Sequence, residues 1–170
     1  MLQILGHSSQ IEKSMAKLKL LDIGCGPNKA PDYIGMDHWP FDGVDIVRSI
    51  TRGIPFADDH FHGVLAKQIL EHFNGEDLIF IMEEIWRVCK KGASVDIFVP
   101  NKDSPNGGKD YTHKKTDWDQ WSFQMWEKKE GRYIIERGPM YGIRGEFRLT
   151  ECRYDATGNG DQYYQLEVIK

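Results

Sequence analysis

From 18 to 23 every position except Lys19 and Asp22 is apolar. A run of strand length that is mostly apolar on both faces is what a parallel strand covered on both sides requires. Shorter apolar runs at 33–37, 44–47, 63–67 and 94–99 predict four more strands, the last closed by Pro100. Between the fourth and fifth the period changes. Leu78, Ile81, Met82, Ile85, Trp86 and Cys89 recur at i, i+3, i+4, i+7, i+8 and i+11, one face of a helix over about 76–91. Asn74 is its expected N-cap, Glu76 and Asp77 lie in its first turn, Lys90 and Lys91 in its last, and Gly92 follows. A short helix over about 9–17, capped by Ser8 or Ser9, precedes the first strand. Beyond Pro100 the stretch "NKDSPNGGKDYTHKK" is polar and glycine-rich, as binding lids often are. A helix from Thr116 to about Glu127, carrying Trp118, Trp121 and Trp126, is expected next. The tail alternates as strands do, in "YIIE", "EFRLTECRY" and "QYYQLEVIK", with the last two joined around "TGNG". The predicted fold is α/β: a Rossmann-like, open, mostly parallel sheet with an antiparallel C-terminal hairpin.

Length and composition bound this picture without altering it. At 170 residues, 40% hydrophobic and 28% charged, the chain is expected to form one domain over 1–170, with a lid and acceptor region at about 102–127. The net charge is −4, and the first hundred residues carry 10 Lys or Arg against 14 Asp or Glu. That is no saddle for nucleic acid. Cys25, Cys89 and Cys152 are odd in number and widely spaced, so neither a disulfide framework nor a metal site is expected, and a reducing cytoplasm is the expected location. No run is apolar enough for a membrane span. Oligomeric state leaves no mark in the sequence.

The chemistry centres on "LLDIGCGPNKAPDYIGMD". In an open α/β sheet, ligands sit beyond the carboxyl ends of the strands, which puts Gly24, Cys25, Gly26 and Asp37 at the site. A dinucleotide fingerprint needs a third glycine, a helix N-terminus for the pyrophosphate and an acid about 20 residues on. Here Lys29 stands three after Gly26, "PNKAP" has room for a turn only, and Asp37 follows Gly24 by 13 residues. No G-K-[ST] of a phosphate loop follows either. What remains is close backbone approach plus one carboxylate for two vicinal hydroxyls, which suits S-adenosylmethionine better than NAD. The bland alternative is a tight turn between core strands.

The order "LLDIGCG", "YIGMD", "GIPFADDHFHGVLAKQILEHF", "EEIWRVCKKGASVDIFVPN" resembles the class I S-adenosylmethionine-dependent methyltransferases, in particular a small type-11-like group with a shortened first crossover. The resemblance spans about 17–101. It implies that Asp22, Gly24, Cys25 and Gly26 form the first cofactor motif and that Asp37 accepts hydrogen bonds from the ribose hydroxyls. By the same resemblance, His38 or Trp39 lies against the adenine, and Gln68 sits beside the methionine moiety. Ser49 and Ile50 occupy the place where many relatives carry an acid near the adenine amino group; that acid is absent here.

Methyl transfer from a sulfonium is an in-line displacement that proximity and water exclusion can drive. A hydroxyl acceptor benefits from a base, and the candidates are His72 in "LEH" and His113 in "DYTHKK", which resembles the D-P-T-H loop of relatives with Tyr111 in place of proline. Asp110 is placed to orient His113 or to cap the loop. His60 and His62 read as surface residues, and no metal ligands stand at helix or finger spacing. Trp118 or Trp121 is a candidate wall of the acceptor pocket. The sequence lacks [DN]-P-P-[YFW] and a Pro-Cys nucleophile, so the expected partner is a small molecule or a sugar, and nucleic acid is disfavoured. Two other classes stay open: a catalytically silent S-adenosylmethionine-binding module and a nucleotide-sugar-binding domain.

Overall fold

The structure is a computed structural model and describes residues 18–104, 110–123, 126–127, 138–156, 158 and 160–170. The helix expected at 9–17 and the strand expected at "YIIE" lie outside the described residues. Among the described residues, seven strands make one sheet: β1 (Leu20–Ile23), β2 (Ile34–Asp37), β3 (Ile46–Val47), β4 (Phe61–Lys67), β5 (Cys89–Pro100), β6 (Glu146–Tyr154) and β7 (Asp161–Ile169). Their order is β3-β2-β1-β4-β5-β7-β6. The first five run parallel, and β7 pairs antiparallel with both β5 and β6. This is the Rossmann-like sheet with an antiparallel C-terminal hairpin that the apolar runs predict.

The topology positions the site. The chain steps outward from β1 through β2 to β3, then returns to lay β4 on the other side of β1, with Leu21 opposite both Ile34 and Val64. The connections beyond β1 and β4 therefore diverge and leave a crevice at the carboxyl ends of the strands. Between β1 and β2 only turns occur, as the two prolines of "PNKAP" require. Asp22 holds this short crossover: its Oδ2 accepts the Ala30 amide at 2.8 Å.

The helix α1 (Gly75–Val88) packs Ile81, Met82, Ile85 and Val88 into the core, and the Asn74 side chain accepts the Asp77 amide at 3.0 Å as N-cap. It ends three residues before Lys91. Cys89 is already extended and pairs with Phe61, so β5 begins there and runs well beyond the predicted 94–99. The C-terminal carbonyls of the helix find a distant partner instead of Lys90 or Lys91. Lys170 Nζ donates to Cys89 O at 2.6 Å and to Arg87 O at 3.1 Å.

Arg87 ties the segment before β4 to this helix. Its guanidinium donates to Ile54 O (2.9 Å), Phe56 O (2.8 Å), Asp58 Oδ1 (2.8 Å) and both oxygens of Glu84 (2.7 and 2.8 Å). Glu84 in turn accepts the Ile54 amide at 2.8 Å.

The expected helix at 116–127 does not form among the described residues, which follow an irregular path with a turn at 120–123. Asp119 explains this: its Oδ1 accepts the Trp121 amide at 2.9 Å, and its own amide donates to Ser122 Oγ at 2.9 Å. Such local side-chain bonds compete with a helical ladder. Tyr164 Oη also donates to the Asp119 carbonyl. The segment is nonetheless anchored, with Trp118, Phe123 and Trp126 buried against Tyr164 and Phe147. Trp121 is exposed.

Candidate cofactor cleft and acceptor site

A cleft of about 530 Å³ opens at the switch point, lined by Gly24, Met36, Asp37, His38, Arg48, Ser49, Ile50, Gln68, Ile69, His72, Phe73 and Thr112. Gly24 forms its floor for two reasons. Its φ is +65°, the left-handed region that side chains resist, and a Cβ there would come 2.5 to 2.8 Å from Ile69. The Gly24 amide is fixed by donation to Met36 O at 2.7 Å.

Asp37, at the end of β2, is buried and points its carboxylate at the glycine turn. Oδ2 accepts the Gly26 amide at 2.9 Å; Oδ1 accepts the Trp39 amide at 2.9 Å and lies 3.2 Å from His38 Nδ1. Each carboxylate oxygen has further lone-pair capacity, so the group is aimed and still able to accept from a diol. Gln68 follows β4 with φ +55°, a left-handed conformation that is strained for a non-glycine residue. Its amide donates to Phe98 O at 2.8 Å and its Nε2 to Asp161 Oδ1 at 2.9 Å, which together hold it there.

Of the residues singled out in the sequence, Gly24, Asp37, His38, Ser49, Ile50, Gln68 and His72 line the cleft. Asp22, Cys25 and Gly26 do not line it; they build the turn beneath it. Burial raises the Asp22 carboxyl above its usual range and pushes the Cys25 thiol up to about 11, with the Asp22 and Asp37 charges adding to the latter. Cys25 is thus no thiolate. Trp39 is exposed and outside the lining. His113 stands behind His72, with ring centroids 5.0 Å apart.

The far wall holds what sequence reasoning passed over. His72 Nδ1 lies 3.3 Å from Thr112 O, and a carbonyl only accepts, so the bond makes Nδ1 the protonated nitrogen and leaves Nε2 a lone pair. His113 places Nε2 3.6 Å from Asp110 Oδ2, while its Nδ1 is buried with no partner. Asp110 is itself held by the Thr112 amide (2.8 Å) and hydroxyl (2.6 Å). Beside both rings lies Glu71, fully buried, with neither carboxyl oxygen hydrogen-bonded. Burial raises its pKa to about 7, helped by the charges of Asp161 and Asp110. Glu71 stands inside the "LEH" stretch, but a one-turn 3₁₀ helix over Leu70–His72 turns it inward, which no periodicity signals. Arg48 and Thr112 were also missed. Arg48 is spent on the Gly53 and Arg52 carbonyls.

Residues 36–96 match the family model of a methyltransferase domain. No curated protein matches the chain. Among solved structures, an S-adenosylmethionine-dependent methyltransferase from Archaeoglobus fulgidus is 20% identical, covering 95% of this chain and 90% of its own, with a TM-score of 0.55. One from Aquifex aeolicus is 13% identical over 89% and 81%, with a TM-score of 0.55. The [4+2]-cyclase SpnF is 15% identical over 90% and 74%, with a TM-score of 0.57. The fold is therefore the Rossmann-like methyltransferase fold. The domain match runs from β2 into β5, and the likeness to these structures is one of fold. No helix among the described residues is long and apolar enough to cross a membrane.

Proposed function

We propose that this single-domain protein transfers the methyl group of S-adenosylmethionine to a small-molecule or sugar acceptor in the cytoplasm. The observation that carries this reading is the pairing, across one cleft, of the Gly24 and Asp37 floor with a His72 wall that His113 backs. Asp37 is assigned to the ribose hydroxyls, Ser49 and Ile50 to the adenine side with His38, and Gln68 to the methionine side. Asp22, Cys25 and Gly26 support these groups from beneath. His72 and His113 are assigned to the acceptor. An imidazole can serve it directly, as a proton acceptor, or by holding a cation that lowers the acceptor's pKa. The −4 net charge and a cleft of about 530 Å³ favour a small acceptor over a nucleic acid. The three free cysteines accord with a reducing compartment.

The test is calorimetric titration with S-adenosylmethionine and S-adenosylhomocysteine, with NAD and UDP-glucose as controls, followed by methyl-label transfer to panels of small hydroxylated compounds, sugars, RNA and DNA. Binding of the sulfonium pair with label moving to a small compound or sugar supports the assignment. Label moving only to nucleic acid overturns the acceptor; binding without transfer to any panel favours the silent module. Asp37→Ala is expected to weaken S-adenosylmethionine binding by about 1–3 kcal/mol, the range for stranding polar partners. Unchanged affinity would remove Asp37 from the cofactor site. His113→Ala should leave cofactor affinity within about twofold while turnover drops by about 10²-fold or more, the usual worth of a positioned acid-base group. Parallel loss of both would count against an acceptor role.

A further inference from the structure

Glu71, His72 and His113 come from two distant segments, yet one ligand atom from each falls within 4.8 Å of the others. Glu71 is fully buried with both oxygens unpartnered, and the buried Nδ1 of His113 is unpartnered too. A carboxyl and an imidazole nitrogen left this way are costly unless something pairs with them. The outer contacts sort the nitrogens: His72 Nδ1–H is committed to Thr112 O, and His113 Nε2 faces Asp110. By elimination, His72 Nε2 and His113 Nδ1 are the free lone pairs. Ligating histidines bind metal in this way, with the other ring nitrogen turned to a carbonyl or a carboxylate.

We propose that Glu71, His72 and His113 bind one divalent transition-metal ion of the zinc class, at the wall of the cleft. Two imidazoles and one carboxylate suit zinc-like ions, whereas magnesium and calcium prefer oxygen donors. Tetrahedral ligands on bonds of roughly 2.1 Å stand about 3.4 Å apart, so the three groups close on the ion by modest side-chain rotation. His72 borders the cleft, which leaves the ion an open position on that side. Resting on the methyltransferase reading, that position takes the acceptor's hydroxyl. Its proton leaves to solvent, its oxygen bonds the methyl carbon as the carbon–sulfur bond breaks, and the sulfur keeps that electron pair. In this state both histidines serve as ligands, and the ion activates the acceptor. The spacing rules gave no hint of the site because its donors lie 41 positions apart in the chain.

Full-length protein stripped with chelator, its fold checked by circular dichroism, is titrated with ZnCl2 by calorimetry and with CoCl2 by visible absorption, without S-adenosylmethionine. About one equivalent of zinc and the intense bands of low-coordinate cobalt are expected. MgCl2 should not bind. Glu71→Gln and His113→Ala should each weaken zinc by more than about tenfold, and His60→Ala should leave it unchanged. A folded wild-type protein that takes up neither zinc nor cobalt overturns the site, as does uptake that survives both cluster substitutions. The two readings fail separately. Sulfonium binding without zinc uptake sinks the ion site alone, and zinc uptake without sulfonium binding sinks the cofactor reading while the ion site stands.

Discussion

Gly24→Ala is expected to cost about 2–5 kcal/mol of unfolding free energy and to weaken S-adenosylmethionine binding. Two penalties combine. A left-handed conformation costs a side-chain-bearing residue about 1–2 kcal/mol, and overpacking a closed site adds about 1–3 kcal/mol. The second applies because the new methyl would meet Ile69 Cβ at 2.8 Å and Cγ1 at 2.5 Å, atoms next to the backbone that cannot swing away. Ile69 lines the cleft, so its displacement carries the stability defect into the cofactor site. Gly26→Ala is the matched comparison: φ is +53° but nothing lies within 4 Å of its Cβ, so only the first penalty of about 1–2 kcal/mol applies. Urea denaturation of both variants checks this. Equal losses would mean that the contact with Ile69 does not shape the site.

Arg87→Ala is expected to destabilise the fold by about 2–4 kcal/mol. The guanidinium is only half-buried, which lowers the figure from that of a fully buried pair, but its removal strands the Ile54 and Phe56 carbonyls and the Glu84 carboxylate. Arg87→Lys should recover less than half, because an ammonium cannot reproduce the fork that meets both Glu84 oxygens. The hydrogen bonds from Arg87 hold the Glu84 carboxyl below its ordinary value of 4.5. A depressed acid stabilises the fold above its unfolded value, and that contribution is lost as pH falls through the folded one. The gap between wild type and Arg87→Ala should therefore narrow below about pH 4.5 in denaturation series. A gap under about 0.5 kcal/mol at neutral pH would show the clamp to be dispensable.

The sheet was readable because its signals are local. Residues 18–23 are mostly apolar on both faces whatever surrounds them, and the helix stripe from Leu78 to Trp86 needs only its own period. The hairpin at the end of the chain was read the same way, from alternation. Errors arose where a local signal met a distant competitor. The last turn of the predicted helix lost to β5, because Cys89 gains ladder bonds to Phe61 that no window of sequence contains. The tryptophan spacing at 118–126 suggested a helix, but the pull of Asp119 on neighbouring amides and the burial of Trp118 against Tyr164 set another path.

The cofactor side of the site was legible for the same reason as the fold. Gly24 and Asp37 sit at the carboxyl ends of adjacent parallel strands, which lie side by side next to the switch point where the chain turns back to β4. The acceptor side was not. His72 and His113 could be named as chemistry-bearing residues one at a time, but nothing along the chain brings them within ring contact or turns Glu71 inward between them. The amino-acid sequence by itself determined the strands, the helix and the glycine turn, since backbone propensity and hydrophobic period act over a few residues. Only the tertiary structure decided the carboxylate and two imidazoles of the far wall, since burial and contact between distant segments exist only once the sheet has closed.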